Sequence, residues 1–161
     1  QYGGDYYAAA VGEVNVTTRM KECGCLIGGE GNGGVIYPAL HYGRDAMVGV
    51  ALFLTNLAYK NIKVSELLAT YPKYVIAKNK IELSDSALID RILEEVKSVY
   101  ASEDINTIDG VKISFEDRKE WVHLRRSNTE PIIRIYAEAE TKEAADALAQ
   151  QIIDIAESII K

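Results

Sequence analysis

The chain has 161 residues, of which 48% are hydrophobic and 26% charged, a balance typical of a soluble globular protein and not of a disordered one. Its formal net charge of -6 argues against a nucleic-acid partner, so any phosphate site must be a local basic cluster. The most apolar segment, Ala46 to Leu54, is far shorter than the ~20 residues needed to cross a bilayer. We therefore expect no membrane partner and interpret this segment as a buried helix.

The first 60 residues carry 11 of the 12 glycines and predict an incomplete α/β unit with an open sheet edge and an unburied face. Asp45 is expected to cap a helix that extends to about Ala58. Before this helix the pattern predicts a strand over Val11–Val16, a helical turn over Thr17–Lys21, a buried strand at Cys25–Ile27 and a strand at Val35–Tyr37.

Residues 61–75 predict a short helix and a linker marked by Pro72, and residues 76–161 predict a compact α+β domain with a mainly antiparallel sheet. The expected order is β-α-β-β-β-α. The first helix is expected to be capped by Ser84 or Asp85 and to carry an apolar stripe at Leu88, Ile92 and Val96. Asp109-Gly110 predicts a hairpin turn, and the alternating segments Trp121–Arg125 and Ile132–Glu138 predict strands. Thr141 is expected to cap the last helix.

Cys23 and Cys25 are separated only by Gly24, and no second Cys or His pair could complete a zinc site. We therefore expect two reduced cysteines and no metal ligands in this chain. This use of cysteine fits a cytoplasmic protein.

A cluster of basic residues lies within the predicted α+β domain, residues 76–161. Six of the 20 Lys, Arg and His residues lie between Arg118 and Arg134, with only two acidic residues. Strand alternation places His123 and Arg125 on one face, and three short polar side chains come directly after the strand, Ser127-Asn128-Thr129. An arginine fork beside hydroxyl and amide donors suits a phosphate ion. Composition alone also leaves open a polar hairpin with solvated arginines.

The segment from Arg125 to Ala139, R-R-S-N-T-E-P-I-I-R-I-Y-A-E-A, resembles the C-terminal signature of the α-D-phosphohexomutases. That signature has the form R-x-S-(G/N)-T-E-P, with an Arg and a Glu-Ala shortly after. The resemblance implies that the phosphate that does not react is bound by Arg125, Ser127, Asn128 and Thr129, with Arg134 in support. Arg126 occupies the variable position and is expected to be solvated.

The glycine-rich segment 28–34 contains G-x-G-x-x-G, but a strand-like run follows it and positions 49–59 hold no acid, so a dinucleotide site is excluded. Glu30, presented among glycines, would let a sugar ring approach closely, and a tight turn with an exposed Glu is the alternative. The loop resembles the family's sugar-specificity loop G-E-x-S-G-H, which implies Glu30 and Asn32 as sugar ligands. Gly34 replaces the family's His, and that role does not pass to His41.

The resemblance covers the end of a four-domain architecture, namely the last part of domain 3 and domain 4. It implies an isomerase that interconverts hexose 6-phosphate and hexose 1-phosphate through a phosphoserine and a bisphosphorylated hexose. The phosphoserine and Mg²⁺ would be held by N-terminal domains absent from this chain, so no catalytic residue is expected here and this part alone is expected to be inactive.

The phosphosugar and the missing domains are the expected partners. The G-E-G-N-G-G form resembles that of family members that act as phosphoglucosamine mutases, and this implies glucosamine phosphate as the substrate, with phosphomannomutase or phosphoglucomutase as the alternative within the family. A non-catalytic phosphate-binding module also stays open, and it would need no sugar loop.

Overall fold

In the computed structural model, the chain divides after Pro72 into two units, Gln1–Pro72 and Lys73–Lys161. The structure describes residues 3–83, 85, 87–127 and 130–160. Each unit is built on its own antiparallel sheet, of three strands in the first and five in the second.

The first unit consists of a small sheet and three helices. Its elements are α1 (Glu13–Cys23), β1 (Gly28–Gly29), β2 (Val35–Tyr37), β3 (His41–Arg44), α2 (Ala46–Lys60) and α3 (Val64–Ala69). The strand order is β1-β2-β3, and the side chain of Ile36 on the central strand is fully buried. The predicted strand at Val35–Tyr37 is confirmed. So is the cap of α2, where the Asp45 carboxylate accepts a hydrogen bond from the Val48 amide at 3.0 Å.

Two predicted strands of this unit are wrong. The segment Val11–Val16 is not a strand, because α1 begins at Glu13 after Gly12, whose φ of 119° ends the extended chain. An acidic residue in the first turn favours a helix at this point, against the β-branched valines. Leu26 and Ile27 are 84% and 56% exposed, so the run Cys25–Ile27 is not a buried strand.

The prediction that Ala46–Leu54 is a buried helix is half right, because the helix forms but its apolar side chains stay exposed. Met47 is 78% exposed and Leu54 is 56% exposed, and α2 has no fully buried residue. Strands of two to four residues cover only part of a 15-residue helix. No helix in the described ranges combines the length and the apolarity needed to cross a bilayer.

The second unit packs two helices against a five-stranded sheet. Its elements are β4 (Val75–Glu82), α4 (Ala87–Val99), β5 (Asp104–Asn106), β6 (Val111–Phe115), β7 (Glu120–Arg126), β8 (Ile132–Ala139) and α5 (Lys142–Ile160). All neighbours in the order β4-β8-β7-β6-β5 are antiparallel. The predicted fold class is confirmed, with one correction. Four strands rather than three separate the two helices, because Asp104–Asn106 pairs with β6.

The core of the second unit follows the predicted periodicities. On α4, Ile92 and Val96 are buried while Leu88 packs at the edge of the core. The buried side of α5 consists of Ala145, Leu148, Ala149, Ile152 and Ala156. The hydroxyl of Thr141 accepts from the Ala144 amide at 3.2 Å, as its predicted capping role requires. Asp85 accepts from the Ala87 amide at 2.9 Å, whereas Ser84, the other predicted cap, lies outside the described residues.

Candidate functional site

The basic cluster lies where β7 ends and β8 begins. Arg125 and Arg134 are direct cross-strand partners, so their Cα atoms face each other across the two strands. The neighbouring Val122 and Leu124 are fully buried on the opposite face, against the helices. Strand alternation therefore presents the two arginines on the sheet face that is not covered by α4 and α5, as the sequence predicted for Arg125.

Ser127 follows β7 directly and is 8% exposed. Its backbone N–H donates to the Ile132 carbonyl at 3.0 Å, which closes a loop between β7 and β8. The Pro131 carbonyl accepts from the Leu83 amide at 2.9 Å, so this loop is also tied to the end of β4. The predicted ligands Asn128 and Thr129 lie outside the described residues. The structure thus brings Arg125, Ser127 and Arg134 to one end of the sheet.

Arg125 has a carboxylate partner that the sequence did not identify as part of the site. Its Nε lies 3.0 Å from Oδ1 and 2.9 Å from Oδ2 of Asp109, in the turn between β5 and β6. The Asp109 carbonyl accepts from Nε2 of His123 at 2.5 Å. The sequence showed Asp109 only as a turn residue. Placing it beside Arg125 requires the pairing register of β6 with β7, which no local pattern specifies.

The other basic side chains near Arg125 differ in their contacts with acidic side chains. Arg126 and Asp90 approach to 4.0 Å with side chains 51% and 74% exposed, in line with a solvated Arg126. Lys80 is the cross-strand partner of Arg134 on β4, and Glu82 raises the pKa of Lys80 through a hydrogen bond and its charge. Among the described residues, Arg134 has no carboxylate partner. Lys80, Arg134 and Arg125 therefore form one basic row across three strands of an acidic chain.

The glycine-rich loop of the first unit is a tight turn closed by its own backbone. The Glu30 amide donates to the Gly34 carbonyl at 3.0 Å, and the Gly33 amide donates to the Glu30 carbonyl at 3.1 Å. A Cβ at Gly29 would lie 2.3 Å from the Gly34 carbonyl oxygen, so this approach requires glycine. The half-buried Glu30 accepts from the Gly12 amide at 3.2 Å through Oε1, which fixes the carboxylate at the start of α1.

The polar side chains around this loop are partly used within it. Oδ1 of Asn32 accepts from the Gly34 amide at 3.0 Å, so the group that Asn32 can offer a ligand is its NH₂. Nδ1 of His41 accepts from the Gly43 amide at 3.0 Å, and Nε2 lies 3.0 Å from the Asp45 carboxylate. Both ring nitrogens of His41 thus stabilise the turn from β3 to α2.

Glu13 and Arg44 hold α1 against β3. The Glu13 carboxylate accepts from the Arg44 amide at 3.1 Å and from Nε of Arg44 at 2.8 Å. The backbone hydrogen bond, followed by the side-chain hydrogen bond and the charge of Arg44, lowers the pKa of Glu13. This pair positions Gly12, and through it the Glu30 carboxylate. Cys23 and Cys25 are free thiols, and within the described ranges no three His, Cys, Asp or Glu side chains converge as a metal site.

Comparison with known families divides the chain at nearly the same place as its fold. Residues 1–74 match the phosphoglucomutase/phosphomannomutase alpha/beta/alpha domain III, and residues 73–155 match the phosphoglucomutase/phosphomannomutase C-terminal domain. The two matches follow each other without a gap and in the order of the two units.

Relatives of known name are similar over nearly the whole chain. It is 36% identical over 156 residues to a probable phosphoglucosamine mutase of Methanopyrus kandleri, covering 96% of this chain and 34% of the relative. It is 38% identical over 149 residues to a phosphoglucosamine/phosphogalactosamine mutase of Sulfurisphaera tokodaii, covering 91% of this chain and 32% of the relative. The chain thus spans about a third of the length of these relatives.

A solved structure shares the fold. A phosphoglucomutase/phosphomannomutase family protein from Burkholderia thailandensis superposes with a TM-score of 0.70 at 23% identity, covering 92% of this chain and 31% of that protein.

Proposed function

Because the chain belongs to the phosphoglucomutase/phosphomannomutase family, we propose that it recognises a hexose phosphate as the C-terminal part of a phosphohexomutase. The observation that carries this proposal is the cross-strand pair Arg125 and Arg134, with Ser127 at the end of the same strand. Two guanidinium groups and a hydroxyl at one sheet end are donors suited to the oxygens of a phosphate.

The phosphate site is supported by its scaffold. Leu124, which precedes Arg125, is fully buried. Ile133 and Ile135, on both sides of Arg134, are also fully buried, so the backbone under the site is held by the core. A site on rigid strands loses less conformational freedom on binding than one on a mobile loop. We propose Arg125, Ser127 and Arg134 as ligands of the phosphate that does not react, together with Asn128 and Thr129.

We propose that the Glu30 loop recognises the hydroxyl groups of the sugar ring, and we call this loop the sugar reader. A carboxylate accepts hydrogen bonds from neighbouring hydroxyls, and Oε1 of Glu30 is already oriented by the Gly12 amide. The residue after Glu30, Gly31, has no atom of the described residues within 4 Å of where a Cβ would lie, and this leaves room for a ring to approach. Asn32 is proposed as a second ligand that donates through its NH₂.

In the complete enzyme, the proposed reaction begins when a phosphoserine transfers its phosphoryl group to the free hydroxyl of a bound hexose monophosphate. The serine O–P bond breaks, a sugar O–P bond forms, and the hydroxyl proton passes to a base. The bisphosphorylated hexose then returns its other phosphoryl group to the serine: that sugar O–P bond breaks, the serine O–P bond forms again, and the released sugar oxygen takes the proton from the base, which restores the phosphoenzyme. The phosphoserine and Mg²⁺ are proposed for domains outside this chain, whose part is to hold the spectator phosphate and the ring.

For the sugar itself, glucosamine phosphate is the favoured substrate. Both relatives described above carry phosphoglucosamine mutase in their names, and this supports the choice over mannose or glucose phosphate. An assay of the complete enzyme with the 6-phosphates of all three sugars decides among them. A higher kcat/KM for mannose or glucose 6-phosphate would contradict the proposed substrate.

The phosphate site can be tested in the 161-residue chain by titrating it with glucosamine 6-phosphate and with inorganic phosphate, followed by nuclear magnetic resonance. Charge-assisted hydrogen bonds contribute roughly 1.5–3 kcal/mol each, so Arg125→Ala should raise both dissociation constants about 10- to 100-fold. Arg126→Ala is the matched control, because Arg126 is exposed on the same strand, and it should change them less than about twofold. Equal effects of the two substitutions would contradict the phosphate site.

The sugar reader is tested separately with Glu30→Ala. This substitution should weaken binding of glucosamine 6-phosphate and leave inorganic phosphate unaffected. Glu22→Ala, at an exposed acid of the same unit, should leave both unchanged. If Glu30→Ala changed neither affinity while Arg125→Ala changed both, the chain would behave as a phosphate-binding module without sugar recognition.

A further inference from the structure

The turn between β5 and β6 packs directly on the strand that carries Arg125. A Cβ at Gly110 would lie 2.2 Å from the Leu124 carbonyl oxygen and 3.2 Å from the Arg125 Cα, an approach that only glycine permits. The register agrees, because Val111 pairs with Leu124 and the next residue toward the turn therefore lies beside Arg125. The backbone of Asp109 is thus held at a defined distance from Arg125.

Asp109 contacts two side chains of β7 from this turn. Its carboxylate oxygens lie 3.0 and 2.9 Å from Nε of Arg125, and its carbonyl accepts from Nε2 of His123 at 2.5 Å. The side chains of Arg125 and Asp109 are 30% and 23% exposed, so water screens this pair less than a surface pair. Both contacts that this carboxylate makes with Arg125 involve Nε. They do not use the Nη1–Nη2 edge, through which an arginine binds a phosphate with two parallel hydrogen bonds.

The negative charge of Asp109 also offsets the repulsion between Arg125 and Arg134. Arg125 and Arg134 are opposed across β7 and β8, and like charges in such a pair destabilise a sheet. An arginine with no carboxylate beside it would turn away from its like-charged neighbour and sample many rotamers. Asp109 restricts Arg125 from the side of β6, opposite to the strand that carries Arg134.

We infer that Asp109 is a positioning residue of the phosphate site, which holds the Arg125 guanidinium by Nε and leaves its other edge to the ligand. This inference rests on the proposed function of Arg125. Two effects of the carboxylate oppose each other, since its charge repels phosphate while its hydrogen bonds hold the arginine in the binding conformation. The inference states that the second effect is the larger.

The test is Asp109→Asn in the 161-residue chain, titrated with inorganic phosphate. Asn removes the charge and one of the two acceptor oxygens that face Nε of Arg125, and it keeps a favoured hairpin turn before Gly110, so the fold is expected to remain. The dissociation constant should rise roughly 10-fold, the usual scale for losing a residue that orients a ligand group. Asp109→Ser, which also suits a turn but is too short to reach Arg125, should give the same rise. Tighter or unchanged binding in these variants would overturn the inference, because the carboxylate would then act only as a repelling charge.

Asp90→Asn is the matched control, because Asp90 faces Arg126 at 4.0 Å from an exposed position. It should change phosphate binding less than about twofold. The same loss in Asp90→Asn as in Asp109→Asn would mean that acidic residues near the cluster act only through overall charge, and this would also overturn the inference.

A double-mutant cycle separates positioning from a merely structural role. In an Arg125→Ala background, Asp109→Asn should cause no further loss, because Asp109 acts through Arg125. In an Arg126→Ala background, the roughly 10-fold loss should persist. A further loss of similar size in the Arg125→Ala background would show that Asp109 only supports the fold. If Arg125→Ala itself left phosphate binding unchanged, the proposed function would fail. If only Asp109→Asn had no effect, the proposed function would stand without the positioning role.

Discussion

The two units bury their hydrophobic residues to very different extents. In the second unit the strands β4, β6, β7 and β8 and both helices contribute to one continuous core. Among the described residues of the first unit, the buried hydrophobic side chains are Met20, Ile36 and Leu67. Its longest helix, α2, is apolar along its length and contributes none of them.

This difference has a consequence for the two candidate recognition elements. Arg125 and Arg134 extend from strands that are fixed by a filled core, and that core specifies their separation. Glu30 lies in a loop fixed mainly by hydrogen bonds, from the Gly12 amide and within its own turn. The proposed phosphate site therefore depends on packing, and the proposed sugar reader depends on a few polar contacts.

Separating the units tests this comparison most directly. Residues 73–161 expressed alone should unfold cooperatively on heating, because their core lies within the same segment. Residues 1–72 alone should bind the dye ANS and lack a sharp transition, since apolar side chains such as Met47 and Leu54 are exposed. Near-ultraviolet circular dichroism of both segments on heating measures the unfolding transition, and ANS fluorescence measures the dye binding. A sharp transition in 1–72 without dye binding would contradict the comparison.

A matched pair of core and surface substitutions gives a smaller effect. Ile135→Ala removes a fully buried side chain of β8 and should lower the free energy of unfolding by about 2–5 kcal/mol. Leu54→Ala removes a side chain that is 56% exposed on α2 and should change it by less than about 0.5 kcal/mol. Urea denaturation of the intact chain measures both. A large loss for Leu54→Ala would show that α2 is packed more tightly than its exposure indicates.

The sequence predicted most where the core is complete. Alternation placed Val122 and Leu124 inward and Arg125 outward, because strand geometry alone determines which face a side chain takes. The caps at Asp45 and Thr141 were equally predictable, since a side-chain oxygen before an apolar run satisfies free amides at a helix start.

The remaining features depend on contacts between distant parts of the chain. The helix α1 replaces a predicted strand because Gly12 and the Glu13–Arg44 pair outweigh the local preference of the valines. Asp109 was predicted as a turn residue, but its contact with Arg125 spans 16 positions and follows from strand register. An unburied face was predicted for the first unit, but its location on α2 was not, because an apolar run indicates burial whether or not enough sheet is present to cover it.

Alanine substitutions at two glycines with positive φ, one in each unit, test whether the two turns are equally constrained. Gly110 has φ 76° and no room for a Cβ, whereas Gly33 has φ 95° and open space around it. Gly33→Ala should cost only backbone strain of about 1–2 kcal/mol. Gly110→Ala should cost about 1–3 kcal/mol beyond that strain, because β6 and β7 must separate to admit the methyl group. Thermal unfolding of the intact chain measures both, and equal losses would contradict the close packing of the Gly110 turn.

Acidification is expected to have the smallest effect, and to act on α1 through Glu13. Hydrogen bonds from the Arg44 amide and then from its side chain lower the pKa of Glu13 in the folded chain. A lowered folded-state pKa means that the stabilisation is present above the unfolded-state pKa and is lost as the pH falls through the folded-state value. Hydrogen exchange in α1 should therefore accelerate below about pH 4.5, after correction for the intrinsic pH dependence of exchange.

Glu13→Gln should reduce that acid sensitivity, because the amide cannot lose a charge as the pH falls. Glu22→Gln, at an exposed position of the same helix, is the control and should keep the sensitivity of the unchanged chain. The comparison is best made between pH 7 and about pH 3.5, a range that spans the titration of a carboxylate. Equal acid sensitivity in all three chains would mean that the Glu13–Arg44 contact does not hold α1 against β3. The position of Gly12, and with it the orientation of the Glu30 carboxylate, would then need another physical cause.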